Sequence, residues 1–319
     1  VAAGWLASLF NFSGALFGVL GGALADKLGP RQVMLAGLGG FAALGFAGAF
    51  AEHGTWLLLC RTGESATILA CTVTAPRLIV AATAPRQRNL AMGAWGSFMP
   101  TGIALALLGG PLIAAVYGWR GVWIAAAALA LVCMFLVAWL TSPRRWPEAP
   151  KRAAGVPWRS LGRAVWRPGP ILLGICFALY AIQFFAVASW LPTYLIKVMG
   201  FSPHQAGMAT ALVVFGNALG NLLAAWLLHR GARRWRLMLA AYILMLICSA
   251  GIFAPAVLLV WKLPLAFAFN LFGGLLPAAA LAGTAAHAPR PEMIGTVNGA
   301  VVQGAAIGSL AGPPAMAVM

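Results

Sequence analysis

One turn of one apolar stretch holds both an arginine and a carboxylate. Arg61 and Glu64 stand three residues apart in the run 56–82, a spacing that puts them on one helical face. Counted from Trp56, which reads as an interfacial anchor, Glu64 lies roughly 12 Å along the run, near the middle of a bilayer. A charge at that depth is costly unless it is paired or faces a water-filled cavity. Two readings follow. The pair is a silent intrahelical ion pair, or it is a coupling device in which an anionic solute competes with Glu64 for the Arg61 guanidinium. In the second case protonation of Glu64 frees Arg61 to bind, and proton and anion travel together. Weaker signals lie elsewhere: Tyr180, Gln183 and Phe184 share a face of the run 170–196, and Asn270 sits inside 264–286. Asn217 and Asn221, interleaved with Gly216 and Gly220, read as hydrogen-bonding glue between helices, as do Asn298 and Gln303. His53, His204, His229 and His287 fall at or near loops. The five cysteines lie in apolar runs without paired spacing, so neither metal site nor disulfide framework is implied. With no nucleophile–base set and no phosphate-binding glycine loop, the expectation is a protein that is not an enzyme and needs no cofactor.

The elements that must position these groups are membrane helices. Of 319 residues 62% are hydrophobic and 8% charged, against about 25% charged in soluble domains. The chain is therefore expected to be an all-α polytopic membrane protein. Ten spans are read, near 4–25, 33–50, 56–82, 89–116, 122–140, 170–196, 206–228, 236–253, 264–286 and 293–318. A net charge of +16 invites a nucleic-acid reading, which the placement of the charges excludes. Sixteen of the 21 basic residues lie in alternate gaps, including seven between Arg144 and Arg167, and the opposite gaps carry only Arg120, Lys197 and Lys262. By the positive-inside rule the basic loops are cytoplasmic.

The chain also repeats itself. Gly22-Ala-Leu-Ala-Asp26-Lys27-Leu-Gly29-Pro-Arg31 returns in degraded form 203 residues later, with His229 in place of Asp26. Ala84-Pro85-Arg86 matches Ala288-Pro289-Arg290 and Gly110-Pro111 matches Gly312-Pro313, at offsets of 204 and 202. A shared offset makes a tandem duplication. Three segments are expected: a bundle at 1–141, a basic cytoplasmic linker at 142–169 and a second bundle at 170–319. Shifting spans by the repeat length suggests that one helix is missing at each end, a fragment of a twelve-span protein. In the linker, Arg159, Arg163 and Arg167 recur every four residues. That pattern reads either as a basic helix on anionic lipid or as a solvated tether.

The decapeptide itself is a tight turn between two helices. Gly29 supplies permissive backbone and Pro30 stops helical continuation. Gly14, Gly18 and Gly22 present a small-residue stripe for close helix approach. Asp26 at a helix C-terminus meets a like-signed dipole, so it needs a partner, either Arg31 or another helix's N-terminus. Gly22, Asp26, Lys27, Gly29 and Arg31 resemble the signature loop of the major facilitator superfamily, with Pro30 replacing a basic residue. Arg61, Gly118-Trp119-Arg120, Trp190-Leu-Pro-Thr-Tyr-Leu195 and the stretch from Asn298 to Pro313 extend the resemblance along the chain. It implies two six-helix bundles related by a parallel repeat, here about ten of twelve helices (the second to the eleventh), around a midplane site reached by alternating access. By the same resemblance the signature loop is a conformational latch. Arg61 lines the cavity in connection with proton coupling, and the helices carrying Tyr180, Gln183, Phe184 and Asn270 line it too. The expected activity is secondary transport of a small solute, as proton-coupled uptake of a small organic anion. WLPTYL resembles the branch that includes cyanate and organic-anion permeases. The alternatives are a drug-efflux antiporter, since Gly109-Gly110-Pro111 keeps the core of an antiporter motif but Leu112-Ile113-Ala114-Ala115 departs from it, and a transporter-like sensor without flux. Expected partners are a small-molecule substrate, protons and membrane lipid, with no nucleic acid. The chain is expected to be a monomer in a bacterial inner membrane.

Overall fold

A computed structural model describes residues 11–146 and 157–318, with side chains as far as Gly312. The first residues of the opening span and part of the linker, including Pro147, Pro150, Lys151 and Arg152, lie outside the described residues. Among the described residues twelve α-helices follow one another: α1 (Phe12–Leu28), α2 (Pro30–Ala49), α3 (Gly54–Ala82), α4 (Arg88–Gly96), α5 (Phe98–Leu140), α6 (Trp158–Val165), α7 (Pro168–Lys197), α8 (Pro203–His229), α9 (Arg234–Phe253), α10 (Leu259–Gly273), α11 (Leu275–His287) and α12 (Ile294–Val318). Eight stretches of the described residues are long and apolar enough to cross a bilayer. One of them, Pro85–Leu140, turns at Gly118, whose φ of 66° and ψ of −174° break the helix. Split at Gly118, these stretches give nine segments, and the 17-residue apolar helix α1 stands in the place of the first expected span.

Prolines shape the crossings. Pro100 and Pro277 each lack the N–H that would pair with the carbonyl four residues back, and the helices restart at Phe98 and Leu275. Two expected spans, 89–116 and 264–286, are thus each made of two helices end to end. Pro30 does not merely stop a helix. Gly29, at φ 103°, turns the chain, and Pro30 is the first residue of α2, where a missing N–H costs nothing. Shifted by 203 residues, the bounds of α2 fall within one residue of α9, and those of α3 within two residues of the pair α10 and α11.

The core is built from small residues, as expected where no hydrophobic force drives helix against helix. The stripe on α1 packs against α12: a methyl on Gly18 or Gly22 would stand 2.6 Å from the Gly299 carbonyl oxygen or 2.2 Å from that of Gly295. Further along, Gly304, Gly308 and Gly312 sit equally close to the carbonyls of Gly174, Ala178 and Ile182 on α7. Helix α12 therefore runs between α1 and α7 with backbone against backbone on both flanks. Outward faces are apolar, with Leu112 68% and Leu246 68% exposed, as lipid-facing surfaces are.

Candidate functional site

Between α1, α3, α4, α5, α7, α11 and α12 lies a cavity of about 100 Å³, room for several waters or part of a small solute. Six aromatic rings face it: Trp95 and Phe98 on one side, Phe177, Tyr180, Phe184 and Phe185 on the other, with Ser65 and Thr72 among the polar lining groups. No charged side chain lines it among the described residues. Trp95 and Phe98 stack with centroids 4.4 Å apart across the Ser97 break. Tyr180 and Phe184 stack one turn apart at 5.7 Å. The Tyr180 hydroxyl donates to Asn217 Oδ1 at 3.1 Å.

The sequence-derived residues divide around this cavity. Tyr180 and Phe184 line it. Gln183 does not: it lies about 130° round α7 from the middle of the cavity stripe, and its Nε2 donates to the Leu179 carbonyl of its own helix. Asn270 is buried between α10 and α8, where its carbonyl accepts from Asn217 Nδ2 at 3.1 Å and its own Nδ2 donates to Ala266. Arg61 and Glu64 are paired, Nη1 to Oε2 at 2.7 Å, with Glu64 2% and Arg61 30% exposed. Glu64 faces α2 and α5 near Gly45 and Ala127, about 90° from the cavity stripe of α3. Arg61 continues that stripe one turn beyond Ser65, about 6 Å along the axis. Its guanidinium lies over the Trp123 ring at 4.3 Å, a cation–π contact that holds the fork in place.

Polar ties join helices that are far apart in sequence. Pro76 cannot donate to the Thr72 carbonyl, and Asn298 Nδ2 from α12 donates there instead at 2.9 Å. Gln303 Nε2 donates to Ala15 at 2.8 Å while its Oε1 accepts from the Val19 N–H. Asn221 donates to the carbonyl and side chain of Asn217.

The signature loop closes the basic end. Asp26 is 1% exposed, and its partner is the start of α12. Oδ1 accepts from Gly295 N at 3.1 Å, and Oδ2 accepts from Thr296 N and Thr296 Oγ1, each at 2.7 Å. Arg77 of α3 completes the set, Nη1 to Oδ1 at 3.1 Å. Of the two partners considered for Asp26, the helix N-terminus is present and Arg31 is not. The turn at Gly29 directs Arg31 to α5, where Nε donates to Thr141 Oγ1 and Nη2 to the Ala138 carbonyl. Gly22 abuts Gly295, and the Lys27 ammonium sits 4.8 Å from the Trp158 ring. Arg77 escaped sequence reasoning, although a second cation inside the apolar run of α3 was the available signal. Helix α6 lies beneath this junction, with Leu161 and Ala164 buried against Ala23, Met293 and Val297. Nearby, Asn89 Nδ2 donates to the Leu228 carbonyl and His229 Nδ1 pairs with the Arg86 carbonyl.

Residues 1–313 match the family model of the Major Facilitator Superfamily. The chain belongs to that superfamily. Its members are transporters rather than enzymes, and the protein is an integral membrane protein. Among curated superfamily relatives, the chain is 28% identical over 253 residues to the "probable sulfoacetate transporter SauU" of Cupriavidus necator, covering 72% of this chain and 57% of that protein. It is 26% identical over 233 residues to the "3-(3-hydroxy-phenyl)propionate transporter" of Escherichia coli, covering 71% and 56%. The matched stretch thus spans little more than half the length of these relatives. Among solved superfamily structures, a single-site variant of the E. coli fucose:proton symporter FucP superposes with a TM-score of 0.77 at 17% identity, over 99% of this chain and 83% of that one. That likeness establishes the fold.

Proposed function

We propose that the protein is a proton-coupled secondary transporter in a bacterial inner membrane, taking up a small organic anion that carries an aromatic ring. The observation that carries this reading is the cavity wall: six aromatic rings and, among the described residues, no charge. Such a wall rewards a planar apolar body through stacking, and the hydroxyphenylpropionate relative is named for such a solute. The carboxylate of the solute reaches Arg61, the cation on the same stripe of α3, and Glu64 gives up that guanidinium on taking a proton. The segments 1–141 and 170–319 act as the two bundles that alternate access, with the Asp26 junction latching the basic end shut.

Reconstitution of the full-length protein in liposomes with an imposed pH gradient tests the proposal. Labelled aryl carboxylates are expected to accumulate, with aliphatic sulfonates of similar charge competing at least tenfold less well. Trp95→Ala or Phe184→Ala is expected to raise KM several-fold. Preferred accumulation of aliphatic anions would overturn the aromatic assignment. The same uncharged wall also suits efflux of an apolar cation, and proton-driven export of such a compound, independent of Arg61, would replace uptake by that reading.

A further inference from the structure

At the basic end a second cavity, of about 460 Å³, opens between the last turns of α3, the start of α4, the end of α11 and the turn into α12. Arg77, Arg88 and Arg290 line it, with Glu292 as the one carboxylate in its wall, so positive charge outweighs negative there even with Arg77 paired. Arg77 is committed to Asp26. Arg88 donates its Nε to the Val80 carbonyl at 3.2 Å, which leaves its terminal nitrogens for another acceptor. Neither Arg88, Arg290 nor Glu292 makes an ion pair among the described residues, although all three border one space. Pro289 and Pro291 fix the backbone on either side of Arg290. Arg88 is half-buried and Arg290 exposed at this solvent-open space, and the planar forks of such guanidiniums suit an oxyanion that can accept from several directions.

We propose that this cavity binds a phosphate-type oxyanion between Arg88 and Arg290, with Arg77 at its back. A phosphate group offers three or more acceptor oxygens and more charge than a carboxylate's two oxygens, which suits a space bordered by the free terminal nitrogens of Arg88 and by Arg290. The cavity lies at helix ends on the basic side, the level of anionic headgroups, so the phosphate belongs either to a phospholipid or to a soluble molecule.

Two probes distinguish the sources in the purified full-length protein. The first is equilibrium binding of radiolabelled inorganic phosphate in neutral detergent. The second is the thermal midpoint in nanodiscs of phosphatidylcholine with or without phosphatidylglycerol. Arg88→Gln combined with Arg290→Gln is compared with Arg233→Gln combined with Arg236→Gln, an equal loss of charge at the same end outside the cavity. Saturable phosphate binding, weakened tenfold or more by the first pair and kept by the second, identifies a soluble ligand. Stabilisation by phosphatidylglycerol that only the first pair abolishes identifies a headgroup. Glu292→Gln, which removes the one opposing charge, is expected to tighten binding several-fold, and Arg290→Gln alone serves if the double variant does not fold. No response to either probe, or equal losses in both pairs of variants, overturns the proposal.

Discussion

At the scale of single residues, the charged side chains that are buried among the described residues, Asp26, Glu64 and Arg77, each face an opposite charge. Arg61–Glu64 and Arg77–Asp26 are ion-paired among the described residues, and both carboxylates are almost wholly buried. Removing one partner of such a pair strands the other in a medium of low dielectric. For Glu64 this yields a sharp expectation. Glu64→Gln preserves exchange of solute across the membrane but loses pH-driven accumulation, because the amide still accepts from Arg61 and no longer carries a proton. Arg61→Ala loses binding, whereas Arg61→Lys retains only part of it, since an ammonium cannot form the bidentate fork. Uphill accumulation by Glu64→Gln at the wild-type level would make the pair structural. Asp26→Asn is expected to loosen the basic end. With Val297→Cys as a buried reporter in a background without native cysteines, labelling should rise about tenfold for each 1.4 kcal/mol lost. Unchanged labelling and flux would reduce the loop to a turn. Much of this was legible in the residues themselves: a carboxylate at a helix C-terminus demands compensation, and here it comes from Gly295 and Thr296. Arg77 was half legible: a second cation inside the apolar run of α3 stood in the sequence, but not that the fold brings Asp26 to it.

At the scale of helices, apolar length and loop charge were enough to place the crossings, because lipid allows few alternatives to a continuous helix. The breaks at Ser97 and Gly274 were hidden because the flanking helices are equally apolar, and only the missing proline donors distinguish them. Pro76 shows how such a defect becomes a tie. It leaves the Thr72 carbonyl without its helical donor, and Asn298 supplies one from α12. Asn298→Ala should therefore lower stability by about 1–2 kcal/mol, read as a lower thermal midpoint in detergent. Pro76→Ala restores the main-chain donor, so in that background the same substitution should cost much less. Additive losses would show that the Asn298 contact does not serve the orphaned carbonyl. The linker helix was readable as a basic amphipathic turn, but not its seat. Leu161 and Ala164 could have faced lipid as readily as the α1–α12 junction they cover.

At the scale of the whole molecule, the tandem repeat announced a twofold design from three short matches, and α2 and α9 stand at its offset. What the repeat could not announce is which helices meet across the two copies. That choice is made by glycines whose neighbours become known only on folding. Helix α12 meets α1 through Gly295 and Gly299, and it meets α7 through Gly304, Gly308 and Gly312, with carbonyl oxygens where side chains would otherwise stand. At these close-approach positions the joint behaves as a plain bearing: a carbonyl has no rotamer to change and so cannot absorb a misfit, and there one surface can roll on the other but cannot be reshaped. Tolerance at the joint should then follow girth and ignore polarity. A saturation scan of positions 299, 304 and 308, read by surface expression and transport, is expected to rank substitutions by volume alone, with alanine and serine alike impaired and every larger residue lost. A scan that instead separated polar from apolar residues of equal size would show that the two surfaces part to lipid or water during the cycle rather than roll.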